Sequence, residues 1–214
     1  MSGAALRAPT RATVLDRLRA ETREAHDSVE RELDWSRRVA TLDGYRALLA
    51  RWWGFHAVVE PALERALARA SETAFLAPRR KLPLLADDLR QLGLAGGGLD
   101  ALPLCPWEGP AGGLPGALGT LYVLEGSTLG GQVVARHIRR TLGLEPGGAG
   151  CRFYAAYGPG GAGPMWQATC ARLLAVDDSA AEDAMVAAAR LTFERVRDWL
   201  VAGETKPAPG PSCP

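Results

Sequence analysis

Lysine is almost missing from this chain. Lys81 and Lys206 are the only two, and arginine supplies the rest of the 25 basic residues. They face 24 acidic residues, leaving a formal net charge of +1 and no overall field to attract nucleic acid. The arginine and alanine bias fits genome composition better than binding. Cysteine is sparse: Cys105, Cys151, Cys170 and Cys213 form no CxxC pair and no metal-finger spacing. That excludes a disulfide framework and points to a reduced cytoplasm. The N-terminus lacks the apolar core of a signal peptide, and no apolar run is long enough to cross a bilayer. Strand-like alternation and internal repeats are also absent. These absences predict a soluble, cytoplasmic, all-α protein, and 214 residues suit one domain with a sizeable core.

Helical periodicity and stop signals divide the chain. Residues 1–12 are expected to be disordered, 13–202 to form the domain, and 203–214 to be a Pro-rich mobile tail. Thr13 opens a T-x-x-D start, a variant of the capping box, and Val14, Leu15, Leu18, Ala25, Val29 and Leu33 follow at helical spacing. A second helix is expected over 41–70 with a bend at Pro61, and a third over 80–92. A Gly/Pro-rich loop leads to a helix over 115–142, ended by Gly143. A second such loop, with a short extended or turn piece at Phe153-Tyr154, precedes two last helices over 165–175 and 180–202.

The helix over 115–142 holds Gly126, Gly130 and Gly131 in its interior. Each costs about 1 kcal/mol relative to alanine, so something must need bare backbone there. A flat ligand pressed on the helix would do so, and so would a tightly crossing partner helix. Spacing alone leaves both open. Gly131 widens the bare strip, while Ser127 and Thr128 make it locally polar, which suits a pocket wall.

On the first helix Arg19, Arg23, His26 and Glu30 fall on one face. A ligating histidine commonly donates its second ring nitrogen to a carboxylate, and Glu30 lies one turn on. Arginines one and two turns earlier suit ligand carboxylates. A solvated, salt-bridged face explains the same residues equally simply.

Two segments resemble the heme oxygenase family. Leu18-Arg-Ala-Glu-Thr-Arg-Glu-Ala-His26 is similar to its proximal-histidine helix. Glu125-Gly-Ser-Thr-Leu-Gly-Gly-Gln132 is similar to its kinked distal helix, in the wording of bacterial enzymes found with bacteriophytochromes. The stretches 53–60 and 80–89, Phe153-Tyr154, and the helix bearing Phe193 and Trp199 extend the resemblance over 13–202. It implies a single-domain helical bundle with heme between the two helices. His26 would be the proximal iron ligand and Glu30 the acceptor of its ring N–H. Arg19 and Arg23 would meet the heme propionates, and Phe193 would help close the pocket. Gly126, Gly130 and Gly131 would bare the distal wall, with Gly126, Ser127 and Gly130 beside the reacting centre. The implied reaction cleaves heme, both cofactor and substrate, with dioxygen to biliverdin, carbon monoxide and ferrous iron. No flavin or nicotinamide fingerprint is present, so electrons must come from a ferredoxin or flavin reductase. The wording favours chromophore supply to a bacteriophytochrome.

One departure stands out. Many family members carry aspartate directly after the first distal glycine, where this chain has Ser127, a poor proton reservoir near neutral pH. Competing readings are a heme carrier or sensor without turnover, and a di-iron oxygenase built on the His26/Glu30 and His56/Glu60 pairs. A thiaminase-like enzyme would need a cysteine in a catalytic setting, which neither Cys105 nor Cys170 has. His137 is an alternative iron ligand near the end of the glycine helix. Arg136, Arg139 and Arg140 offer either a docking patch for an acidic electron donor or a solvated helix end.

Overall fold

The first helix starts where its sequence requires. Thr13 stands in extended backbone and its hydroxyl accepts from the Asp16 amide at 3.2 Å. The Asp16 carboxylate accepts in return from the Thr13 amide at 3.0 Å, closing the capping box. Helix α1 (Val14–Leu33) follows and ends at Asp34, held left-handed at φ 40°. The structure, a computed structural model, describes residues 12–201 apart from 108, 110 and 111. Of the expected disordered start at 1–12, residues 1–11 lie outside the described residues, as does the tail at 203–214.

After a single turn, α2 (Trp35–Arg38), comes α3 (Leu42–Ala68), capped by the Thr41 hydroxyl and continuous through Pro61. The short α4 (Thr73–Leu76) and a 3-10 turn at Ala77–Arg79 lead into α5 (Leu82–Gln91). The glycine-rich α6 (Gly113–Leu142) begins two residues before the expected Pro115 and stops at Gly143, with φ 69°. Helix α7 (Ala162–Leu174) also starts early, because Pro164 needs no amide partner in a first turn. Helix α8 (Ser179–Val201) completes an all-α fold with no strand among the described residues. Phe153-Tyr154 forms a turn, not an extended piece. No described helix is long and apolar enough to cross a membrane.

Helix α6 packs against α3, α7 and α8, and α1 packs on α8. Two apolar clusters result. One surrounds α3, with Tyr45, Leu48, Phe55 and Leu63 against Leu85 and Leu121. The other joins α1, α6 and α8 through Leu18, Leu118, Met185 and Phe193. Burying each such side chain contributes about 1.5–3 kcal/mol. The loop over 144–161 is pinned across the first cluster. The buried Asp88 carboxylate accepts from the amides of Arg152 (2.9 Å) and Phe153 (2.8 Å), and Tyr45 donates to the Gly150 carbonyl at 2.8 Å.

A tight helix crossing does occur, but at a glycine other than the three singled out above. A Cβ on Gly119 would stand 2.1 Å from the Met185 carbonyl oxygen of α8. At Gly130 an added Cβ meets nothing within 4 Å. We therefore expect Gly119→Ala to lower stability by about 1–3 kcal/mol through overpacking, despite alanine's better helix propensity. Gly130→Ala should leave stability unchanged or raise it by up to about 1 kcal/mol. Urea denaturation of the two variants checks this, and equal effects would contradict the assignment of Gly119 to the crossing.

Candidate functional site

Where the two apolar clusters meet, a cavity of about 290 Å³ opens to solvent. Helix α1 brings His26 and Glu30 to it, α6 brings Gly126, Ser127, Gly130 and Gly131, and α8 brings Phe193. The rest of its wall is largely apolar or aromatic, including Val29, Leu33, Trp52 and Val134. His26 is half exposed and its ring meets Phe193 edge-on, with centroids 5.6 Å apart. The Nε2 atom lies 3.7 Å from Glu30 Oε1, and Nδ1 lies 3.7 Å from Asp27 Oδ1. Both separations are within ion-pair reach and longer than a hydrogen bond. Either ring nitrogen is therefore available to a ligand.

The three glycines differ in what they face. Gly130 opens onto empty space, and a Cβ on Gly126 would make only ordinary contact with Trp166 at 3.7 Å. A Cβ on Gly131 would come within 3.2 Å of the Tyr154 carbonyl, so this position also serves close packing. Ser127 is exposed, and its hydroxyl donates back to the Leu124 carbonyl at 2.8 Å. Thr128 donates to that same carbonyl at 2.9 Å. Both hydroxyl protons are thus committed along the helix, leaving lone pairs to receive a donor.

Arg19 and Arg23 lie on α1 one and two turns before His26, exposed and outside the cavity wall. The Arg19 charge is felt at Tyr122, which does line the cavity; burial raises that phenol, with Thr22 and Arg19 opposing. His137 does not line the cavity and packs edge-on against Trp35 at 5.3 Å. His56 is buried, as expected beside Trp52, with ring centroids 6.0 Å apart. Among the described residues, His26, Asp27 and Glu30 form the one group close enough to share a metal ion. The His26/Glu30 and His56/Glu60 pairs therefore make no common di-iron ligand set. Cys105 and Cys170 are thiols whose pKa burial raises, the opposite of an activated nucleophile.

Behind α6 lies a polar network that sequence reasoning missed. Lys81 Nζ donates to Tyr157 Oη at 2.6 Å and to Glu125 Oε1 at 3.3 Å, and Tyr157 donates to Glu125 at 2.8 Å. Arg79 Nε adds a second cation 3.9 Å from Glu125 Oε2. On the other side, Glu60 Oε1 accepts from the amides of Lys81 (2.7 Å) and Leu82 (3.0 Å) and pairs with His56 Nδ1 at 3.0 Å. Burial alone pushes Glu60 up, but His56 and the two amides together hold it below the usual carboxylate value. Burial pulls Lys81 below the usual lysine value, against the attraction of Glu125. Two signals could have found this network: Glu125 interrupts an apolar run, and Lys81 is one of only two lysines.

The cavity has what a heme needs from a protein. A histidine stands on one wall and bare backbone on the other. The sides are apolar, and the volume lies near the lower end of the roughly 300–1,000 Å³ range for small-molecule sites. Its open side, where His26 is half exposed, would let ligand carboxylates reach water or cations. No protein-family model and no curated sequence matches the chain. Solved structures do. The heme oxygenase of Neisseria meningitidis, studied with NO and CO bound, is 26% identical with a TM-score of 0.74, over 94% of this chain and 99% of that one. Heme oxygenase 2 of Chlamydomonas reinhardtii is 18% identical with a TM-score of 0.72, over 93% of this chain and 100% of that one. The heme oxygenase of Leptospira interrogans is 18% identical with a TM-score of 0.68, over 89% of this chain and 100% of that one. The chain therefore has the all-α fold of these heme oxygenases.

Proposed function

We propose that the protein opens heme oxidatively to biliverdin, with release of carbon monoxide and ferrous iron. The observation that carries this reading is the placement of His26 and Gly130 on the walls of one apolar cavity. When bound, heme supplies the iron that activates dioxygen and the ring that is cut. The chain's own residues bind and orient it. His26 holds the iron, and Glu30, already 3.7 Å from the ring, closes onto its second N–H. Arg19 and Arg23 meet the propionates at the open side. Gly126 and Gly130 let the macrocycle approach the α6 backbone, while Phe193 and its apolar neighbours exclude bulk water. The Ser127 oxygen accepts a hydrogen bond from a water.

Electrons come from a separate ferredoxin or flavin reductase in the cytoplasm, and the bilin product supplies a bacteriophytochrome. Arg136, Arg139 and Arg140 are exposed at the end of α6 and offer an acidic donor a docking patch. A carrier or sensor without turnover is the second reading. It is supported by Ser127, whose hydroxyl proton is committed to Leu124 and which offers no ionisable group on the pocket wall.

Hemin titrated into the protein should bind one to one, with the absorption of a histidine-ligated iron. His26→Ala should lose that ligation and keep the helical fold, because the side chain is half exposed. Loss of ligation in His137→Ala, with none in His26→Ala, would overturn the assignment.

Gly130→Leu should fold normally yet abolish bilin formation, since its side chain would fill space that is empty within 4 Å of the added Cβ. Turnover with a reductase, followed by absorption of the product, reads this out. A variant as active as the parent would return Gly130 to helix packing.

Ser127→Ala should keep making biliverdin, slowed about fivefold to tenfold, the scale of one modest hydrogen bond. Single-turnover kinetics measure it, and complete loss of product would make the hydroxyl indispensable.

A further inference from the structure

A second hollow, of about 340 Å³, lies between α3 and the end of α5. Its walls include Arg46, Ala47 and Ala50 of α3, Leu92 just past α5, and Leu94 and Leu102 of the loop that follows. It shares no lining residue with the main cavity. The loop is fastened at both ends. The Leu94 amide donates to the Leu89 carbonyl at 3.0 Å, where Gly93 turns the chain with φ 97°. The Cys105 amide donates to the Gly54 carbonyl at 3.0 Å, and a Cβ on Gly54 would stand 2.2 Å from the Pro103 carbonyl oxygen. Between these two fastenings, Ala47 and Ala50 are too short to fill the space.

Arg46 is the one charged residue on these walls. Its Nη1 donates to Asp43 at 3.0 Å. Its Nε is shut off from solvent and has no hydrogen-bond partner among the described residues. Its Nη2 stands over Gly93, 3.5 Å from where a Cβ would be. A surface arginine is free to extend into water, so folding back over the hollow strands a charged donor at a cost. A carboxylate in the hollow offsets that cost. It meets Nη2 and gives Nε an acceptor, in the side-on, two-bond geometry that a guanidinium favours. Asp43 already balances part of the charge, which suits a singly charged head better than a dianionic phosphate. The lining holds leucine, alanine and glycine and no aromatic ring, which suits a saturated chain better than a flat one.

We propose that this hollow binds a free aliphatic monocarboxylate, with its head on Arg46 and its chain along Ala50, Leu92, Leu94 and Leu102. The site is separate from the heme-opening chemistry and does not rest on it. Burial of the chain against the leucines supplies the apolar share of the affinity. The volume falls within the roughly 300–1,000 Å³ of small-molecule sites. Leu42, 38% exposed and one turn before Arg46, continues the apolar face of the helix.

Octanoate is the probe. Calorimetric titration into the hemin-loaded protein should show one site, and a crystal structure of the octanoate complex should place the carboxylate on Arg46. The crystal structure locates the ligand with or without hemin, so failure of the heme reading leaves this test intact. Arg46→Met keeps the apolar stem and removes the charge. It should weaken octanoate about 10- to 100-fold, the loss of one charge-assisted pair, and leave hemin affinity unchanged. Ala47→Phe, at an exposed position, should fill the hollow and abolish binding, and it serves if Arg46→Met fails to fold. The uncharged analogue 1-octanol should bind as weakly to the parent as octanoate does to Arg46→Met. Three results would each overturn the proposal: no binding at millimolar octanoate, octanoate found in the main cavity, or an affinity unchanged in Arg46→Met. Equal binding of 1-octanol and octanoate to the parent would do the same, leaving Arg46 as a surface charge beside an apolar groove.

Discussion

The pocket face of α6 around Gly126 and Gly130 has no side chain with which to hold itself in place, so its position must be set from behind. The Glu125 carboxylate, one residue before the bare stretch, does this by taking bonds from Lys81 and Tyr157. Gly131 rests against the Tyr154 backbone, and Gly119, further back along the helix, rests against Met185. Tyr157 pays for its place in this clamp with a left-handed backbone, φ 71°, a conformation that costs a non-glycine residue about 1–3 kcal/mol. Such strain persists only where surrounding contacts over-determine it, as the phenol's bonds to Lys81 and Glu125 do here.

The clamp is ionic, and its energetics favour definition over raw stability. Glu60, Glu125, Arg79 and Lys81 are all buried, two of each sign. Burying ions costs several kcal/mol apiece, and their mutual attraction repays this only when geometry and further hydrogen bonds are good. Here the four charges, on α3, α6 and the segment between them, bond to the amides of Lys81 and Leu82, the carbonyls of Phe75 and Arg79 and the Tyr157 hydroxyl, so the charges fix the spacing of these elements. The loop itself is located by Asp88, whose carboxylate receives two successive amides. The α6 wall is therefore open on its cavity side and tightly referenced on its far side.

Much of this was legible in the sequence, for identifiable reasons. Thr13 with Asp16, Thr41 and Gly143 are local signals, and each marks a helix boundary within a residue. The glycine cluster announced a special helix because glycine is locally unfavourable there. His26 and the glycines line one cavity, while Arg19 and Arg23 stay on the solvent face beside it. Spacing could not say which glycine faces a ligand and which a neighbour, because that depends on partners far along the chain. The same limit hid the rear network: His56, Glu60, Lys81, Glu125 and Tyr157 come from four separate segments, and apart from the i,i+4 spacing of His56 and Glu60 no periodicity links them.

The account stands on heme lying between His26 and the bare backbone of α6, and a crystal structure of the hemin-loaded protein tests that most directly. It should show the iron bonded to a ring nitrogen of His26 and the macrocycle against Gly126 and Gly130, with Phe193 at its proximal edge. Heme bound elsewhere, or ligated by His137, would contradict it.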